Sequence, residues 1–194
     1  MANHGSFSGE PRTLWQTDPN APDRRMTLLD EFRFTDPGKK DWIAESGYDR
    51  MDGASIPRAL WTLIGSPYTG DYRRASIVHD RACENATPEE RAAADRMFYH
   101  ACRCGGCSVS DATILYIGVR IGAWIAAGRG WTDIDTRATG HPRVRMNQAD
   151  QDLIHDFQLA VAFVAREGIT DDPVELERRT DRALAEIISL QSFA

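Results

Sequence analysis

The segment Ala112–Gly128, "ATILYIGVRIGAWIAAG", runs for 17 residues with a single charge, Arg120, at its centre. A helix that is apolar all round is buried all round, in the core of a larger soluble fold or in a membrane. The segment falls short of the roughly 20 residues that span a bilayer, and a central guanidinium is costly there. Gly118 and Gly122 have the small-xxx-small spacing that lets helices approach closely. The reading is a buried core helix, with membrane contact through 112–128 as the alternative.

The chain is long enough, at 194 residues, to surround such a helix within one well-cored domain or a domain with an extension. A net charge of -6 argues against binding nucleic acid through a general basic surface. The start, "MANHGSFSGEPRTLW", shows no charged region followed by an apolar one, so no secretory signal is read and a cytoplasmic location is expected. Disulfides are then not the default state of Cys83, Cys102, Cys104 and Cys107. Three readings stay open: reduced thiols packed at a helix end, a structural zinc site made by all four, or disulfides.

Residues 1–25 are rich in turn formers and read as a flexible arm. "MTLLDEFRF" alternates, with Met26, Leu28, Phe32 and Phe34 on one side, and reads as a half-buried strand; "DWIAES" should pair with it across the turn "TDPGKK". Helices are expected from Pro57, through "DYRRASIVHDRAC", from Thr87 with its capping box, and after Ser108. "RGWTDIDTRATGHPRVR" interrupts the pattern. Two amphipathic helices follow, one with a stripe of Leu153, Ile154, Phe157, Val161 and Val164, the other with Leu176, Ala183, Leu184, Ile187 and Ile188. The expectation is an α+β fold: a small N-terminal antiparallel sheet packed on a mainly helical bundle, with a C-terminal helical pair. Its divisions are an arm (1–25), a domain (26–130), and a linker with a helical extension (131–194). From His141 onward six arginines face ten acids, so this acidic pair is a candidate protein-binding element.

Chemistry concentrates around "MDGASIPRALW" and "IVHDRAC". His79 and Asp80 are adjacent and point about 100° apart on a helix. Asp95 lies on the next expected helix, where an antiparallel pair would set it opposite His79. A carboxylate on one imidazole nitrogen fixes the tautomer and raises the basicity of the other. His79 would then be a general base and Asp95 its orienter. Asp52 enters from the loop, and Asp52 with Asp80 suits a divalent cation. Ser55 is a helix cap or a nucleophile. The competing reading is a buried polar network that ties helices together. His155-Asp156 reads as a solvated face, and His100 and His141 as lone histidines.

These residues resemble the DUF1353 family, small proteins of bacteriophages, prophages and bacterial genomes. Gly47, Asp52 to Arg58, Trp61, His79, Asp80, Ala94, Asp95 and Phe98 carry the likeness, which covers about Met26 to Gly130. Many members have an aromatic residue at the position of Cys83. The resemblance implies a phage or prophage accessory role, in the cytoplasm or the virion. A second likeness is to secreted phospholipases A2. It implies His79 as base, Asp80 as calcium ligand and Asp95 as orienter, although the glycine-rich calcium loop and most of the disulfide frame are missing. The functional expectation is a hydrolase with a His-Asp dyad, metal-assisted by a cation such as calcium. The alternative is a non-catalytic accessory protein that acts by contact.

Overall fold

The computed structural model describes residues 3–16, 26–51, 56–65, 70–131 and 146–191. Among the described residues, five short strands precede six helices: β1 (Ser6–Phe7), β2 (Thr13–Trp15), β3 (Met26–Leu28), β4 (Phe32–Thr35) and β5 (Asp41–Ala44), then α1 (Trp61–Ile64), α2 (Arg73–Cys83), α3 (Pro88–Gly105), α4 (Val109–Ala126), α5 (Gln148–Arg166) and α6 (Pro173–Gln191). A 3-10 turn, Arg58–Leu60, leads into α1. The fold is α+β, with small antiparallel sheets against a helical bundle.

The alternation read as one strand is two. Met26 and Leu28 in β3, and Phe32 and Phe34 in β4, are all buried as the pattern requires. The chain turns at 29–31, however, so β3 pairs with β2 while β4 sits between β1 and β5. The β4–β5 hairpin closes over Asp36–Lys40 as expected, with Asp36 Oδ1 accepting from the Lys40 amide. The segment read as an arm supplies β1 and β2. At Gly5 an added Cβ would lie 2.3 Å from the Thr35 carbonyl oxygen, and its φ of +95° also favours glycine. That close approach lets β1 pair with β4.

α2 lies between the sheet and α3, which is why Ala75 through Asp80 are all buried. α3 begins where the sequence signals it: Thr87 Oγ1 accepts from the Glu90 amide, and the Glu90 carboxylate accepts from the Thr87 amide. α4 is long and apolar enough to cross a membrane by length and composition, yet eleven of its eighteen residues are buried inside this fold. It packs on α3, α5 and α6. Gly118 faces Ile56 and Ile64, and an added Cβ would come within 3.0 Å of Ile64 Cδ1. The small residue therefore serves a close contact within the fold.

The C-terminal pair belongs to the same core. Leu153, Phe157 and Val164 of α5, with Leu176, Leu184 and Ile187 of α6, are buried in one cluster with α4 and the sheet. One expectation fails here. Asp156 is buried, accepting from Trp131 Nε1 at 2.8 Å and Gln191 Nε2 at 2.5 Å, while its neighbour His155 is exposed. A helix wrapped on two sides hides part of what a single-face pattern assigns to solvent.

Candidate functional site

α2 and α3 run antiparallel across the short turn at residues 84–87, which sets His79 against Asp95. His79 Nε2 lies 2.9 Å from Asp95 Oδ1, and both side chains are wholly buried. The carboxylate makes Nε2 the donor, so Nδ1 is the nitrogen left for proton exchange. The Phe98 ring, 4.8 Å from the imidazole centroid, closes one side.

Asp95 is held from behind. Its Oδ2 accepts from Arg120 Nη1 at 3.0 Å, and Arg120 also binds Asp181 through Nε and Nη2. Trp124 Nε1 donates to the same Asp181 at 3.3 Å. The central charge of the apolar helix is thus the middle of a chain of alternating charge, His79–Asp95–Arg120–Asp181, which crosses α2, α3, α4 and α6. Buried charges persist only when each is paired and hydrogen-bonded, and this arrangement meets both conditions.

Cys83 completes the cluster. One helical turn after His79, it is half-buried, with Sγ 3.5 Å from Nε2 and 3.9 Å from Nδ1. Burial disfavours the His79 cation, but the charge of Cys83 and the hydrogen bond to Asp95 outweigh it and push His79 up to about 10. His79, Cys83 and Asp95 together present an imidazole, a thiol and a carboxylate whose ligand atoms all lie within 4.8 Å of one another.

The four-cysteine zinc reading does not hold. Cys83 ends α2, whereas Cys102, Cys104 and Cys107 lie at the end of α3, where Gly105 packs against the Asp71 backbone just ahead of α2. The eleven residues of α2 separate the two ends by roughly 16 Å, far beyond any shared ion. All four cysteines are free in the structure, with Cys102 and Cys107 in side-chain contact with each other. Burial raises the Cys102 thiol well above its usual range, while a hydrogen bond with Cys102 lowers Cys107.

Asp80 is buried beside His79. Asp52, Ser55 and His141 lie outside the described residues, so the calls on them stay as sequence expectations, the cation pair Asp52–Asp80 included. His100 has a partner that sequence reasoning missed. Its Nδ1 lies 3.2 Å from His4 Nδ1, and His4 Nε2 lies 3.2 Å from Asp171. Asp171 also accepts from Tyr99 and Arg103. Burial lowers the His100 pKa, and the neighbouring His4 adds to that. Arg120 and Asp181 were missed as site residues too. A lone arginine in an otherwise apolar helix was the available signal.

The family described as a protein of unknown function, DUF1353, matches residues 26–119. That stretch takes in His79, Cys83 and Asp95 and ends inside α4, just before Arg120. Two curated relatives come from Sinorhizobium fredii (strain NBRC 101917 / NGR234). Uncharacterized protein y4jT is 35% identical over 133 residues, 66% of this chain and 35% of the relative. Uncharacterized protein y4iH is 33% identical over 92 residues, 47% of this chain and 38% of the relative. The chain therefore spans little more than a third of the length of these two relatives. No solved structure matches it significantly. The phage association and the phospholipase likeness have no counterpart in these matches.

Proposed function

We propose that this DUF1353 chain is a hydrolase in which His79 is the general base and Asp95 its orienter. One observation carries the reading. Asp95 is fixed by Arg120 on one oxygen and takes His79 Nε2 on the other at 2.9 Å, which leaves Nδ1 as the ring's proton acceptor. Because Cys83 and Asp95 keep the ring protonated up to about 10, the base form is reached at alkaline pH. There Nδ1 takes a proton from water as it attacks an ester or related bond, and Asp95 stabilises the imidazolium that forms. Because His79 is sealed, substrate has to reach it through an opening beside the half-buried Cys83.

The test is a panel of chromogenic carboxylic and phosphoric esters with the full-length protein. His79→Gln keeps a donor for Asp95 and should lower hydrolysis by about 10² or more, the usual worth of a general base, while the protein stays folded by circular dichroism. A variant that turns over as fast as the parent rejects the base.

A second reading has its own support: the complete burial of His79 and Asp95. In it the network is a clamp joining four helices, and the protein acts by contact through its acidic C-terminal helical pair, which exposes Val174 and Leu190 on α6 and Ile169 in the connection before it. No turnover on any ester, together with a lower melting temperature for His79→Gln, is the outcome this reading expects.

A further inference from the structure

We propose that His79, Cys83 and Asp95 bind a zinc ion. The inference goes beyond the hydrolase reading and does not depend on it: a ring that gives Nε2 to zinc and keeps its Nδ1 proton cannot be the base, so the base mechanism belongs to the metal-free protein. Imidazole with a thiolate selects zinc over the hard, oxygen-seeking calcium and magnesium. Zinc bonds of about 2.0–2.3 Å place tetrahedral ligand atoms about 3.3–3.6 Å apart. The 3.5 Å between Cys83 Sγ and His79 Nε2 already fits. The 2.9 Å between Nε2 and Asp95 Oδ1 has to open by about 0.4 Å, a small rotation of either side chain.

The scaffold favours this use. His79 and Cys83 are one turn apart on α2, so the helix alone holds two ligands on one face. Asp95 comes from α3 with its second oxygen bound by Arg120, the type of outer hydrogen bond that orients a metal carboxylate. Starting from the thiol and the imidazolium, loading releases the Cys83 proton and the Nε2 proton to solvent and leaves the ring its Nδ1 proton. Three protein ligands leave one tetrahedral position for water, and Cys83, the ligand with solvent exposure, marks the way in.

Metal-free full-length protein would be titrated with Zn²⁺ against a chromogenic chelator, and separately with Co²⁺, whose bond to a thiolate gives a near-ultraviolet charge-transfer band. One ion per chain and the cobalt–thiolate band are expected. Cys83→Ser should abolish the band and weaken zinc by at least about tenfold, and Cys107→Ser should change neither. His79→Gln, tested in parallel, should also weaken zinc, and it covers the case in which the serine variant fails to fold. Absence of uptake, or uptake and a band that survive Cys83→Ser, overturns the site. Zinc uptake by a protein that hydrolyses no ester in its metal-free form leaves this inference standing and removes the proposed activity. Hydrolysis by protein that takes up no zinc does the reverse.

Discussion

His79 is the residue on which the most physics converges. Its folded pKa is raised to about 10, against an ordinary value near 6.5. Below about pH 6.5 the imidazole is protonated in both the folded and unfolded chain, and its contribution to stability is fully present. Between about 6.5 and 10 only the folded state keeps the proton, so stability should fall as pH rises through that window. Urea midpoints from pH 6 to 10 should show this slope in the parent protein and a shallower one in His79→Gln. Equal slopes would mean that His79 is not held as a cation. Asp95→Asn tests the same centre from the other side. It removes the carboxylate between two cations, with an expected loss of about 3–5 kcal/mol as for other broken buried pairs, read from chemical denaturation. The adjacency of His79 to Asp80 and the approach of Asp95 were legible in the sequence, because a short capped turn between two helices leaves few other arrangements. Cys83 stands one turn after His79 on the same helix, so its approach was legible too but was overlooked. Arg120 holding Asp95 was not legible, because a partner on another helix has no sequence spacing.

At the scale of elements, helix starts were read well because their signals are local. Thr87 and Glu90 form the reciprocal capping bonds their spacing implies, and Ser108 accepts from the Asp111 amide in the same way. Thr87→Ala should cost about 1 kcal/mol, seen as a lower melting temperature with unchanged helix content at 20 °C. The end of α3 depends on a contact instead. A Cβ at Gly105 would lie 2.4 Å from the Asp71 backbone oxygen, which no side-chain rotation relieves. Gly105→Ala should therefore destabilise by about 1–3 kcal/mol in denaturant, whereas alanine is ordinarily the better helix former. The strands were read less well. Alternation fixed which side chains of β3 and β4 turn inward, but the same alternation fits one strand or two, and only the pairing with β2 and β1 separates them.

Across the whole molecule, the sequence divides residues 131–194 from the domain as a linker and helical extension. The packing argues otherwise. Leu153, Phe157, Leu176 and Leu184 are fully or nearly fully buried against the rest, and Asp181 neutralises Arg120 inside it. A chain ending at residue 140 would expose the apolar side of α4 and strand a buried guanidinium. It should lose cooperative thermal unfolding and elute as aggregate in size-exclusion chromatography. A soluble, cooperatively melting fragment would show instead that the match over residues 26–119 marks an independent folding unit.

The sequence by itself determined the helices and their caps, the inward faces of the strands, the burial of α4 and the meeting of His79 with Asp95. All of these follow from local chemistry or from the shortness of a connection. Tertiary structure alone decided which charges share the interior. It also decided that the last two helices cover α4. The physical reason is the same in each case: burial makes a charge or an apolar face seek whatever partner the fold brings near, and that partner can lie anywhere along the chain.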